Sequence, residues 1–367
     1  MDFTSALYLG LTHDSRSLQW TQLTTGAPAA LRRPVEAAEP ELGFAALVGC
    51  EQAVALTSTL HAAWDLFGGC CPSDVALFHD AAAYPVLRWG LERASHRGVP
   101  VVSFRHHDPE ALEWALRGLP AGTRPWVVTD GFCPGCAQVA PLREYTRLAA
   151  ARGGRVVVDD TQALGLIGSG PGHGQPFGEG GGGSLRARAI ADPAIVVVAS
   201  LAKGFGVPMA MVAGAASFIE AFVERSETRI HCSPPSLVHL VAASRALGCN
   251  AAEGETLRLR LASRVRAFRR AMRASGVAMR GGLFPLQRLP VSSPDEGLRL
   301  QQALAAHGVR VVVERVRCRP LVAVTFVITA RHDEGQLQRA AAVLAGVLRN
   351  LPRHTPLAPP TPSSMEV

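Results

Sequence analysis

The sequence predicts an α/β protein: a mostly parallel sheet flanked by helices, followed by a smaller C-terminal α+β domain. Short apolar runs rich in valine and isoleucine recur between residues 75 and 215 and read as strands buried on both faces. Helical patterns separate several of them, and a strand–helix–strand alternation predicts parallel pairing under two helical layers. After about Pro235 the alternation gives way to longer helices and two further strand-like pieces.

In chain order, strands are expected at 75–78, 99–104, 126–130, 155–160, 194–200 and 209–215, with helices at 84–98, 110–118 and 142–154. Residues 177–184, Phe-Gly-Glu followed by four glycines and a serine, read as a flexible surface loop inside the large domain. Beyond it, helices are expected at 236–247, 253–275 and 334–350, and strands at 309–313 and 321–329. The domain reading is an N-terminal segment, 1–44, packing on the small domain. A large domain follows at 45–240, a small one at 241–350, and a proline-rich tail at 351–367 that is expected to be disordered.

A length of 367 residues with 48% hydrophobic and 18% charged residues fits a compact globular chain with a substantial core. The net charge of +7 comes mostly from scattered arginines, and the cluster at 264–273 sits at helical spacing, as a solvated face does. No base-reading motif accompanies the charge, so no nucleic-acid partner is expected. A general attraction for anionic substrates fits better. No apolar run reaches the roughly 18 residues of a membrane span, so no membrane partner is expected. The N-terminus shows neither a basic leader nor a long apolar stretch, so no signal peptide is expected, and the eight irregularly spaced cysteines read as reduced thiols of a cytoplasmic protein.

Two strand ends carry the chemistry. The run at 155–160 ends in Asp159 and Asp160, and the run at 194–200 leads into Ser200-Leu-Ala-Lys203-Gly. An acid at the end of one buried strand and a lysine just past another are what a pyridoxal 5'-phosphate (PLP) site needs. The lysine holds the aldehyde as a Schiff base, and the acid pairs with the pyridine nitrogen. Asp160, one residue on, points the other way on an extended chain and is expected to be structural.

The chain resembles fold-type-I PLP enzymes of the class I/II aminotransferase superfamily, in particular the α-oxoamine synthase group. The resemblance rests on Tyr8-Leu-Gly-Leu11, Phe104-Arg-His-His-Asp108, Val139-Ala-Pro-Leu142, the ten residues from Asp159 to Gly168, Ser200-Leu-Ala-Lys-Gly-Phe-Gly206 and Ser233-Pro-Pro235. It implies an aspartate-aminotransferase-like fold and a homodimer. It makes Lys203 the Schiff-base lysine and proton shuttle, with Asp159 on the pyridine nitrogen. Tyr84 would lie flat on the cofactor ring where the group has histidine; packing in the core is the alternative. Gln162 takes the place of another histidine, near the phenolic oxygen. The phosphate would be held by Ser200, Ser58 and Thr59, at a helix N-terminus, and Ser233 would reach a neighbouring subunit's phosphate.

The resemblance breaks on the substrate side. The group's C-terminal Arg-x-Arg is absent: Ala323 and Thr325 stand where the arginines would be, with Arg319 (or Arg317) and His332 as candidate replacements. The expected activity is a decarboxylative condensation of an amino acid with an acyl-CoA or acyl-carrier thioester. The alternatives are an aminotransferase acting on an atypical amine, or a non-catalytic dimeric binding protein. Cys133-Pro-Gly-Cys136 is read as neither redox-active nor zinc-binding, lacking a second pair. His106 and His107 are expected to diverge and to hold no metal. Residues 165–174 miss the dinucleotide-binding glycine spacing.

Overall fold

The computed structural model describes residues 1–19 and 22–350; the tail expected to be disordered lies outside the described residues. The chain opens the large domain with helix α1 (Ala38–Val48), which ends where Gly49 turns left-handed at φ 85°. Strand β1 (Gln52–Leu56) follows, then α2 (Thr59–Phe67), β2 (Val75–Asp80), α3 (Pro85–His96), β3 (Val101–Phe104) and α4 (Pro109–Arg117). The helix starts are written in the sequence. Ser58 caps α2 and Asp108 caps α4, the latter accepting the Ala111 N–H at 2.9 Å, while Pro85 and Pro109 occupy first-turn positions that need no donor.

Next come β4 (Arg124–Asp130), the short hairpin β5 (Phe132–Cys133) and β6 (Gln138–Val139), α5 (Leu142–Ala150), β7 (Arg155–Asp159), α6 (Gly183–Ala187), β8 (Ile195–Ser200) and β9 (Ala210–Gly214). Seven strands form one sheet in the order β1-β9-β8-β7-β4-β2-β3. All neighbours are parallel except β9, which runs antiparallel to both β1 and β8. The central strands are sealed on both faces: Val156–Val158 and Val196–Val198 are wholly buried. Parallel strands therefore bring several chain segments to one carboxyl edge. The strands expected in this domain are present; β1, at the edge of the sheet, is an addition to them.

After α7 (Ala216–Arg225) and α8 (Glu227–His231), a single 38-residue helix, α9 (Leu237–Ala274), crosses from one core to the other. Leu237 and Ala246 pack in the large domain, Leu261 and Phe268 in the small one. The sequence pattern suggests two helices broken near Gly248. The helix continues because Asn250 is engaged sideways, donating to the Gly180 carbonyl at 2.9 Å and accepting from buried Arg258 at 2.8 Å. The small domain adds β10 (Leu286–Val291), α10 (Pro294–Ala306), β11 (Val312–Val316), β12 (Leu321–Val327) and α11 (Glu334–Asn350), with an antiparallel sheet in the order β10-β12-β11.

The N-terminal residues are stitched to this domain, with the Phe3 N–H donating to Arg310 O and the Val327 N–H to Phe3 O. By contrast Ala37 and Phe44, inside the expected N-terminal segment, belong to the large core. The glycine-rich segment 177–184 is also not the loose surface loop expected. Phe177 and residues 181–184 are buried, and Ser169 and Gly165 both bond to its backbone.

Candidate active site

The carboxyl edge of the sheet gathers side chains from five connections, the place where open α/β sheets form their clefts. Asp130 ends β4, Asp159 ends β7 and Ser200 ends β8. Thr59 opens the helix after β1, and Tyr84 precedes the helix after β2. Together with Val86, Thr161, Gln162, Lys203 and Arg317 they line one cavity of about 150 Å³.

Each position has a local cause. The carboxylate of buried Asp159 accepts the Thr161 N–H at 3.0 Å, and the Thr161 hydroxyl accepts the Ser200 N–H at 2.9 Å, which ties the ends of β7 and β8 together. Asp160 points away into the protein, accepts the Ser184 N–H at 2.8 Å, and is raised to about 6 by its burial. Gly183 permits that contact: its φ is 85°, and an added Cβ would sit 1.9 Å from the Asp160 carboxylate.

Lys203 is half-buried, and its Nζ makes no hydrogen bond to the described residues. It lies 5.7 Å from the centre of the Tyr84 ring. Burial lowers its pKa, with Arg317 acting in the same direction, although Asp159 and Asp130 pull the other way. A lysine eased toward the neutral amine is a better nucleophile and proton acceptor. The Tyr84 ring also faces the Arg317 guanidinium, 5.1 Å away.

Arg317 Nη2 donates to Asp130 at 2.9 Å and Nη1 donates to the Ala82 carbonyl. The other Asp130 oxygen accepts the Tyr84 N–H at 2.9 Å. Burial nonetheless raises Asp130 to about 7: Arg317 opposes the shift and the like charge of Asp159 adds to it. Gln162 is held by Tyr8, whose hydroxyl donates to its Oε1 at 2.7 Å.

The structure thus brings together Lys203, Asp159, Tyr84, Gln162, Ser200 and Thr59. Of the other four expected residues, Ser58, Arg319 and His332 lie outside this cavity, and Ser233, expected against a neighbouring subunit's phosphate, lies elsewhere in this chain. The Ser58 hydroxyl is occupied in capping α2 and in a 2.8 Å contact with His61 Nδ1. Ser233 lines a separate small hollow beside Thr57 and Arg229. Arg319 sits exposed in the turn after β11. His332 is a packing residue of the small domain, stacked on Phe3 at 4.5 Å with both ring nitrogens bonded, to Thr329 and to Asp2 O. The arginine at the cavity is Arg317. Sequence reasoning missed Asp130 and Thr161. Asp130 stands at the end of an expected strand, as Asp159 does, and that signal was available.

The His106 and His107 rings do not diverge: they stack 3.8 Å apart, because His107 adopts a left-handed φ of 53° that an extended-chain argument does not anticipate.

Residues 44–344 match the family model described as aminotransferase class I and II. Among curated proteins the chain is similar to 8-amino-7-oxononanoate synthase of Cupriavidus taiwanensis, 28% identical over 256 residues, 68% of this chain and 60% of that protein. The Burkholderia ambifaria protein of the same name is 30% identical, over 75% of this chain and 59% of that protein. The chain spans about 60% of the length of the curated relatives it matches.

Among solved structures, serine palmitoyltransferase from S. paucimobilis with a bound PLP–myriocin aldimine superposes with a TM-score of 0.81 at 19% identity, covering 95% of this chain and 87% of that one. The 8-amino-7-oxononanoate synthase of Francisella tularensis gives 0.73 at 17%, covering 95% and 98%. At these identities the structural likeness speaks for the fold.

Proposed function

The chain belongs to the aminotransferase class I and II family, and on that premise we propose that it is a PLP-dependent transferase joining an amino acid to an acyl thioester with loss of CO2. The observation that carries the proposal is the convergence of Lys203, Asp159 and Tyr84 on one cavity at the carboxyl edge of the sheet. The residues fit the group. Lys203 offers an amine without a hydrogen-bond partner among the described residues, Asp159 an acid for the ring nitrogen, and Tyr84 a flat face. Thr59, Ser200 and the start of the nine-residue α2 offer donors to a phosphate. PLP, when bound, supplies an electron sink for the pair left on the substrate α-carbon.

The rest falls to the chain's own groups. Lys203 would hold the cofactor through Nζ, and its amine, when free, would take the α-proton. Asp159, oriented by the Thr161 N–H, would face the ring nitrogen. Tyr84 would offer its flat face to the ring and shield it from water. Arg317 is the cation available to a substrate carboxylate, since Ala323 and Thr325 are buried where the resemblance would place arginines. We assign the protein a homodimeric assembly on the same premise. A second reading, transamination of an amine without a free carboxylate, is favoured by the engagement of Arg317 with Asp130.

The test has two stages. Purified protein given PLP and then borohydride should carry the label on the peptide containing Lys203; a label elsewhere, or none, overturns the cofactor assignment. Holoenzyme given a panel of amino acids with acyl-CoA or acyl-carrier thioesters should then release free thiol. If the unreduced holoenzyme releases no thiol and instead converts PLP to pyridoxamine phosphate, the second reading holds.

A further inference from the structure

Four potential metal donors converge far from Lys203 in sequence and outside the candidate cavity. They are His106, in the turn between β3 and α4, Cys133 at the end of β5, Cys136 in the hairpin turn, and Cys318 in the turn between β11 and β12. Their donor atoms all lie within 4.8 Å of one another, and Cys136 Sγ is 3.5 Å from His106 Nε2. A tetrahedral zinc ion with bonds of about 2.3 Å to sulfur and about 2.0–2.1 Å to nitrogen sets its ligands about 3.8 Å apart for sulfur pairs and about 3.5 Å for sulfur and nitrogen. The Cys136–His106 pair already stands at that sulfur–nitrogen spacing, and no two donor atoms of the cluster are more than 4.8 Å apart. We propose that His106, Cys133, Cys136 and Cys318 form a structural zinc site that clamps the small-domain turn carrying Arg317 onto the large domain.

Three further observations support it. The first is the setting of His106. Its Nδ1 is held at 2.8 Å by the carboxylate of Asp80, itself almost wholly buried, which leaves Nε2 facing the thiols. A carboxylate fixing the far nitrogen of a histidine is the usual support behind a zinc-bound imidazole. Asp80 is further fixed by the His107 and Ala82 N–H groups.

The second is the shape of the Cys133–Cys136 segment. It makes a tight knuckle: the Ala137 N–H bonds back to Cys133 O at 2.8 Å, Ala137 has a left-handed φ of 57°, and Arg288 holds Pro134 O at 2.7 Å. Gly135 lets the third thiol approach, since a Cβ there would lie 2.5 Å from Cys318 Sγ.

The third is what the arrangement is not. A redox pair of this spacing opens a helix and exposes its first thiol. Here Cys133 is buried and the pair caps a hairpin. Four protein donors close the coordination sphere, as in structural sites, and leave no open position for a substrate. Binding would release the remaining thiol protons.

Nothing local in the chain announces this cluster. Cys318 lies 182 residues after Cys136, and one Cys-x-x-Cys without a second pair is weak evidence alone.

The test uses the full chain, expressed with zinc and purified without chelator. Metal analysis should give about one zinc per chain. Cobalt exchanged into the site should show the intense visible absorption of tetrahedral cobalt–thiolate centres. Cys136→Ser and Cys318→Ser should each abolish that spectrum and the bound zinc, while Cys249→Ser, on α9, keeps both. Denatured, metal-stripped protein should titrate eight thiols. Absence of zinc together with absence of the cobalt spectrum in wild-type protein overturns the proposal, and needs no variant to fold. So does a thiol count two short of eight, which would mean a disulfide instead. So does zinc that survives both serine substitutions.

Discussion

Replacing Asp130 with asparagine removes a titratable charge at the cavity while keeping the shape of the side chain. Asp130 is 7% exposed, contacts Arg317 at 2.9 Å, and is raised to about 7 by burial. Its unfolded reference lies near 3.8. The folded protein therefore holds a proton that the unfolded chain gives up between those values. Stability from this group is full below about pH 3.8 and is lost progressively as pH rises to about 7, then stays level.

The Asp130→Asn side chain does not titrate, so the variant's advantage over wild type should widen across that window. From about pH 5 to about pH 7 the widening is two units at about 1.36 kcal/mol each, or on the order of 2–3 kcal/mol. The reoriented amide beside Arg317 and Tyr84 adds a cost of its own, but the amide does not titrate and that cost cancels in the difference. Urea unfolding of both proteins at about pH 5 and about pH 8 measures it. A difference that is flat, or that shrinks as pH rises, would mean that Arg317 holds Asp130 ionised and that the reasoning from burial is wrong.

Other substitutions probe other parts of the fold and the cavity. Arg258→Met leaves Asn250 and the Gly165 carbonyl without a buried donor that is only 1% exposed, and should cost about 3–5 kcal/mol in chemical unfolding; a loss under about 1 kcal/mol would refute the role given to Arg258. Gly183→Ala forces a left-handed alanine, costing about 1–2 kcal/mol before the clash with Asp160 is counted, so a clear drop in melting temperature is expected and an unchanged one refutes the packing argument. Lys203→Ala should retain the fold, lose borohydride-fixed PLP, and slow turnover by at least about 10²–10⁴-fold, with labelling and steady-state rates as the readouts. Tyr84→Phe should hold PLP nearly as well as wild type and Tyr84→Ala several-fold less in a fluorescence titration; equal weakening of both would show that the hydroxyl, and not the ring, matters.

The parts of this protein that are set locally are legible in its sequence. Lys203, Asp159 and Ser200 are visible because each sits at or just past the end of a valine-rich run, and a buried parallel strand fixes where its end must emerge. β1 is not visible: Gln52–Leu56 is short, and its strand character comes from pairing antiparallel with β9 at the sheet edge. The continuity of α9 is hidden for a similar reason, since Gly248 and Asn250 are poor helix residues whose cost is offset by the contacts of Asn250 with Gly180 and Arg258. The stacking of His106 on His107 depends on one left-handed backbone angle. The choice of Arg317 over Arg319 depends on how a two-residue offset falls within a turn, which periodicity does not resolve.

These misses share a cause that bears on the reaction. The groups proposed to hold the cofactor come from strand ends of one sheet, so local sequence specifies them. The group proposed to meet the substrate, Arg317, comes from a turn of the small-domain sheet and reaches the cavity only through long-range contacts: with Asp130, with the Ala82 carbonyl, and at its neighbour Cys318 with the thiol cluster. Repacking that turn would change which substrate is held while Lys203 and Asp159 keep their places at the strand ends. The loss of arginines at 323 and 325 fits the same division, because both positions lie on the buried strand β12, where Thr325 now hydrogen-bonds Glu314 and an arginine would be enclosed. Specificity in this chain is therefore expected to follow the β11–β12 turn, and exchanging residues 317–320 should shift amino-donor preference while PLP binding stays intact.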